Sequence, residues 1–136
     1  MSTLPDILPE VATASGFLLV LILLLPFASV LLALVLGGRN PRRVAFLALP
    51  AGLALAGAIA LAASRAGQPL IYLLGNWAPP LGVALRADGL SVTMLLTTAV
   101  IIFGVAIYAR SDFAPPPGGG ETRTSLMFWI LLLAVW

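Results

Sequence analysis

Between Glu10 and Arg39 the chain carries no charged side chain: VATASGFLLVLILLLPFASVLLALVLGG. A helix rises about 1.5 Å per residue and a bilayer's hydrocarbon core is about 30 Å thick, so ~20 apolar residues cross it. The run is that long. A cleaved signal peptide has a shorter apolar segment behind a basic start, whereas the residues before this run include Asp6 and Glu10. The run is therefore read as a membrane span over 15–36, with 1–14 as a short leading segment. Pro26 falls in its middle, where a missing N–H and a crowded preceding turn favour a kink.

The rest of the chain agrees with that reading. Of its 136 residues, 61% are hydrophobic and 9% are charged, against about 25% charged in a soluble domain. One core of this size could not hide so much apolar surface. A second span is expected over 44–64, VAFLALPAGLALAGAIALAAS, with Pro50 inside it. Its Gly52, Ala56 and Ala60 recur at helical spacing, a small-residue face that lets a neighbouring helix approach; the plainer alternative is that alanine is abundant throughout the chain. A third span is expected over 90–108, LSVTMLLTTAVIIFGVAIY. Thr93, Thr97 and Thr98 put hydroxyls inside it; threonines so placed usually bond back to their own helix carbonyls, and lining a polar path is the rarer alternative.

The connections set the orientation. GGRNPRR, over 37–43, places Arg39, Arg42 and Arg43 within five residues. Short arginine-rich loops stay in the cytoplasm, which puts the N-terminus on the opposite side. The linker over 109–123, ARSDFAPPPGGGETR, carries Arg110 and Arg123 and falls on the same cytoplasmic side if the spans alternate. Its three prolines and three glycines cannot form a regular element. The final apolar stretch, 124–136, would rise only about 20 Å as a helix, short of a full crossing. It reads as the start of a fourth span, and the sequence as part of a longer chain.

The segment over 65–89 joins spans two and three on the outer side. It has a strand-like run from Leu70 to Leu74, a turn cluster with Gly75, Asn76, Pro79 and Pro80, and a second strand-like run from Gly82 to Ala87. That is the pattern of a β-hairpin with a longer loop. Tyr72 and Trp77 suit a membrane–water interface. Asp88, followed by Gly89, stands just before span three, where an acid can cap the helix and favour its positive end; a direct part in ion movement is the rarer alternative.

LGNWAPPLGVALRADGLSVTMLL resembles the N-terminal part of the antiporter-like membrane subunits, which include Mrp-type sodium/proton antiporter subunits, the large proton-pumping subunits of complex I and membrane subunits of related hydrogenases. In that family a glycine-tryptophan-proline turn leads through a short strand to an aspartate-glycine-leucine-serine helix start. Here the matching residues are Gly75, Trp77, Pro79, Pro80, Gly82, Asp88, Gly89, Leu90 and Ser91. The order of helices, basic turn and hairpin also fits, over about residues 10 to 110. The resemblance implies a multisubunit, ion-translocating complex in a bacterial inner membrane, with Trp77, Pro79, Pro80, Asp88 and Gly89 serving structure and assembly. The hairpin would join neighbouring units by edge pairing.

One departure limits what the resemblance implies. The family moves protons through a glutamate in its fifth helix and lysines in later ones. This chain has no lysine, and none of its expected spans contains an acid or a base. Membrane ion pathways are built from such residues. The expected role is thus helix packing and assembly within an N-terminal segment of such a subunit, not ion transfer by itself. The alternative is a small accessory subunit at the edge of a larger respiratory or photosynthetic complex. Either way the expected partners are other integral membrane subunits and the bilayer. A net charge of +2, thinly scattered, does not suggest nucleic acid.

Enzyme chemistry finds no support. There is no cysteine and no histidine, which excludes disulfides, thiol catalysis, Fe–S ligation and imidazole-held haem within these residues. The triple glycine at 118–120 follows prolines and lacks the Lys-Ser/Thr of a phosphate loop. No cofactor, metal or catalytic residue is expected. The fold class is all-α integral membrane: three transmembrane helices, a partial fourth, and a short extramembrane β-hairpin between helices two and three.

Overall fold

The computed structural model describes residues 15–37, 40–74, 82–113 and 122–136. It contains four helices and one two-stranded sheet, in the order α1 (Phe17–Leu36), α2 (Asn40–Ala66), β1 (Leu70–Leu73), β2 (Ala84–Ala87), α3 (Gly89–Asp112) and α4 (Arg123–Val135). Three helices, α1, α2 and α3, are long and apolar enough to cross a bilayer, and α4 is a shorter apolar helix. The chain is an integral membrane protein.

Helix ends follow local chemistry. α1 stops where Gly37 takes φ 53°, and its N–H donates to the Ala33 carbonyl at 3.2 Å. α2 stops in the same way at Gly67, φ 62°, which donates to Ala63 at 3.1 Å. Only glycine enters this left-handed region without strain. At its start α2 takes in Asn40, Pro41, Arg42 and Arg43, a turn earlier than the expected Val44. Proline is at home in a helix's first turn, where its missing N–H would have no partner anyway. α3 runs four residues past Tyr108, so that Arg110 and Asp112 belong to its last turn. α4 is capped by Thr122, whose Oγ1 accepts from the Ser125 N–H at 3.3 Å.

Pro26 and Pro50 both lie inside continuous helices. Ser29, buried in α1, donates its hydroxyl to the Pro26 carbonyl at 2.8 Å, which satisfies a polar group that lipid could not.

α2 is the central helix and packs against α1, α3 and α4. About 33% of its apolar span is buried within the chain, against 17% for α1 and 22% for α3. The outer helices therefore turn most of their surface outward: Phe27 is 65% exposed, Leu31 63% and Val35 83%. In a bilayer that apolar surface faces lipid or neighbouring helices and carries no penalty.

Two cores form along α2. Near the hairpin, Leu19, Ile59, Leu70, Ala87 and Val92 are buried together, which ties the sheet to α1, α2 and α3. Toward the other end, Ala33, Val44, Ala45, Leu49, Ile102, Ala106, Ala109, Trp129 and Leu133 form the second core. The small-residue face of α2 meets an aromatic ring: a Cβ added at Gly52 would coincide with the Trp136 indole. Glycine there leaves room for the outer rim of the Trp136 indole against α2.

Candidate functional site

The hairpin is antiparallel, pairing Leu70 with Ala87, Ile71 with Arg86, Tyr72 with Leu85 and Leu73 with Ala84. Beyond the strands, the Leu74 N–H donates to the Val83 carbonyl at 2.9 Å and continues the ladder toward the loop. The alternation of the pair turns Leu70 and Ala87 inward onto the helices. Tyr72 meets Phe17 of α1 edge to face, with ring centroids 6.2 Å apart. Trp77, Pro79 and Pro80 lie outside the described residues, as do Gly75, Asn76 and Arg39.

Asp88 links sheet to helix. Its backbone is extended, and its Oδ1 accepts two bonds of 2.8 Å, from the Ser91 N–H and from the Ser91 hydroxyl. Together these hold the carboxyl below its ordinary value of 3.8; the backbone bond is the larger cause and Arg86 lends a smaller attraction. Asp88 and Gly89 also border a hollow of about 380 Å³ between the end of α2 and the start of α3, with Ser64 and Gln68 on its wall. A Cβ at Gly89 would meet open space. Its glycine is thus not required by packing within the described residues.

A larger groove, about 710 Å³, lies along α1 between the hairpin and the end of α4. Pro26, Phe27 and Leu31 of α1, Leu95 of α3 and Trp136 line it, and Arg86 and Ser91 stand toward the sheet. The Ser91 hydroxyl is already bonded to Asp88. The rest of the lining named here is apolar, so the groove offers mainly shape and apolar surface. It suits a neighbouring helix or an acyl chain.

The threonines of α3 are on the outside of the bundle. Thr93 donates to the Gly89 carbonyl and Thr97 to the Thr93 carbonyl, each at 2.8 Å, and both are exposed. Thr98 is exposed as well. These hydroxyls do not converge on a path through the described helices.

At the opposite end from the hairpin, Arg42 and Arg43 sit in the first turn of α2, Arg110 in the last turn of α3 and Arg123 at the start of α4. Arg42 and Arg110 both approach the Phe46 ring, their guanidinium carbons 5.7 and 5.8 Å from its centroid. Phe46 in turn packs on Trp129 with centroids 5.2 Å apart, and Phe128 meets Trp129 edge-on at 5.4 Å. Trp129 is fully buried, and its Nε1–H has no hydrogen-bond partner among the described residues.

Sequence reasoning missed this aromatic cluster. Phe46 lies four residues after Arg42, a spacing at which helical side chains meet, so half of the contact could have been found. That Arg110 and Trp129 arrive at the same ring depends on how three helices pack.

Among the described residues, no group of three or more His, Cys, Asp or Glu side chains could hold a metal ion. Compared with known proteins, the chain matches no family model, no curated protein and no solved structure.

Proposed function

We propose that these residues form a packing and assembly segment of an antiporter-like, cation-translocating membrane subunit, and that they do not conduct ions themselves. The reading rests on one observation: within the described spans the charged residues stand only in the end turns, and Thr93 and Thr97 are bonded to their own helix. A proton or cation crossing the bilayer needs ionisable or hydrated polar groups along its way. The apolar groove beside α1 and the two-stranded sheet are surfaces suited to neighbouring subunits. The family assignment within this proposal draws on the resemblance over Gly75 to Ser91. The arginine end faces the cytoplasm of a bacterial inner membrane, as positive charge in short loops favours, and the hairpin faces outward.

The test joins transport to assembly. The purified chain is reconstituted into liposomes, and proton flux is followed under sodium and potassium gradients. The tagged protein is also extracted from native membranes in mild detergent and its assembly state measured. The expected result is flux no greater than that of protein-free liposomes, with stoichiometric co-migration in a larger membrane complex. Flux carried by the chain alone would refute the non-conducting role, and migration as a lone monomer would refute the assembly role. A native mass near 14.1 kDa within that complex would favour a small accessory subunit over a segment of a larger one.

A further inference from the structure

We propose that the arginine end holds the phosphate of an anionic lipid between Arg42 and Arg110, beside the Phe46 ring. The proposal is independent of the family reading. It begins with an electrostatic oddity: two guanidinium groups from different helices gather around one aromatic ring, 5.7 and 5.8 Å from its centroid. The ring face attracts each cation, but the two cations repel one another. Arg43 and Arg123 add charge at the same end, against one described acid, Asp112. Neither Arg42 nor Arg110 forms an ion pair among the described residues. An anion would turn this repulsion into attraction.

The geometry selects the kind of anion. Arg42 is half-buried, and its Nη2 donates to the Arg110 carbonyl at 3.4 Å. That long bond ties the start of α2 to the end of α3 and leaves most of both guanidinium forks unused among the described residues. A planar fork of N–H groups fits phosphate oxygens in pairs. The pair stands at the ends of membrane-crossing helices, the level of lipid headgroups. Leu47, five residues beyond Arg42, and Ile107, three residues before Arg110, are exposed and apolar. An acyl chain below the phosphate would lie on such side chains. Basic pockets between helix ends are where lipid phosphates bind.

The experiment is native mass spectrometry of the full chain released from micelles containing phosphatidylglycerol or phosphatidylcholine. Wild type should retain phosphatidylglycerol preferentially. Arg42→Gln with Arg110→Gln should lower that retention about tenfold, as loss of paired charge-assisted bonds implies, while Arg65→Gln at the other end should not. Circular dichroism checks that each variant is folded. Should the glutamine pair fail to fold, Arg42→Lys with Arg110→Lys keeps the charge without the fork, and its retention should fall between the two. Equal retention by wild type and the glutamine pair would overturn the site. A lysine pair that binds like wild type would overturn the fork in favour of undirected surface charge. Displacement of the lipid by millimolar inorganic phosphate would overturn the lipid assignment and leave a free-phosphate site.

Discussion

Trp129 offers the sharpest test of how the bundle holds together, because its size and its unpaired N–H push stability in opposite directions. In water, Trp→Ala in a core costs about 3–5 kcal/mol, part of it the transfer of apolar atoms from solvent. Between helices in lipid that transfer share is largely absent, since acyl chains are as apolar as the core. What remains is the void. Removing roughly 140 Å³ at about 24 cal/mol per Å³ gives about 3 kcal/mol. Because Trp129 is 0% exposed, lipid cannot enter to fill the space. Trp129→Phe leaves only roughly 40 Å³ empty, about 1 kcal/mol by the same coefficient. It also removes a buried donor whose isolation costs about 1–3 kcal/mol. Trp129→Phe should therefore lie within about 1 kcal/mol of wild type or above it, and Trp129→Ala about 3 kcal/mol below. The chain has no cysteine of its own, so dyes on cysteines introduced at the exposed positions Val35 and Thr124 report helix separation by energy transfer as SDS is titrated into mixed micelles. Trp129→Ala within 1 kcal/mol of wild type, roughly a third of the void term, would refute the closed core. Trp129→Phe as damaging as Trp129→Ala would refute the isolation of the indole N–H.

Further outcomes follow from the same packing and from the hairpin. Gly52→Ala should push the Trp136 ring off α2, moving the Trp136 signal in fluorine NMR of fluorotryptophan-labelled protein while leaving Trp129 in place; bulkier Gly52→Val should destabilise by about 1–3 kcal/mol, the usual range for overpacking. At Asp88 the folded carboxyl titrates below 3.8, so the stability the cap contributes is present above that value and is lost as pH falls through the lower folded one. The Ser91 amide shift should follow this with a midpoint below 3.8, and a midpoint at or above it would refute the cap. Asp88→Asn should keep most of the bond to the Ser91 N–H. Asp88→Ala should loosen the start of α3 and weaken assembly without preventing membrane insertion.

Much of this architecture was legible in the sequence because lipid leaves the backbone few choices. A long uncharged run such as 15–36 must satisfy every N–H and C=O within itself, and a helix is the form that does so. The hairpin was legible for a different reason: Leu70 to Leu74 and Gly82 to Ala87 are short apolar runs on either side of turn residues, too short to cross anything. The helix ends were less so. Proline and arginine at 41–43 read as a connection, yet the first turn of a helix accepts both. Nothing in Tyr108 or Ala109 says stop, and α3 ends instead near the proline-rich stretch that follows Phe113.

The side-chain constellations were legible only where they are local. Asp88 and Ser91 are three residues apart, so capping could be reasoned from spacing alone. Gly52 belonged to a recognisable small-residue face, but that face announces only that something comes close. What comes close is an indole from 84 residues further along the chain. The same holds for Phe46, which receives one arginine from its own helix and another from α3, with Trp129 of α4 beneath. Without water to drive helices together, their association rests on shape and on a few polar contacts, so one large ring placed against one glycine can select a packing. That makes the aromatic cluster both structural and electrostatic. Trp129→Ala, by freeing Phe46, should also weaken lipid-phosphate retention by Arg42 and Arg110, although it touches neither charge. Loss of core stability with full retention would show instead that the arginines are positioned by their own helices alone.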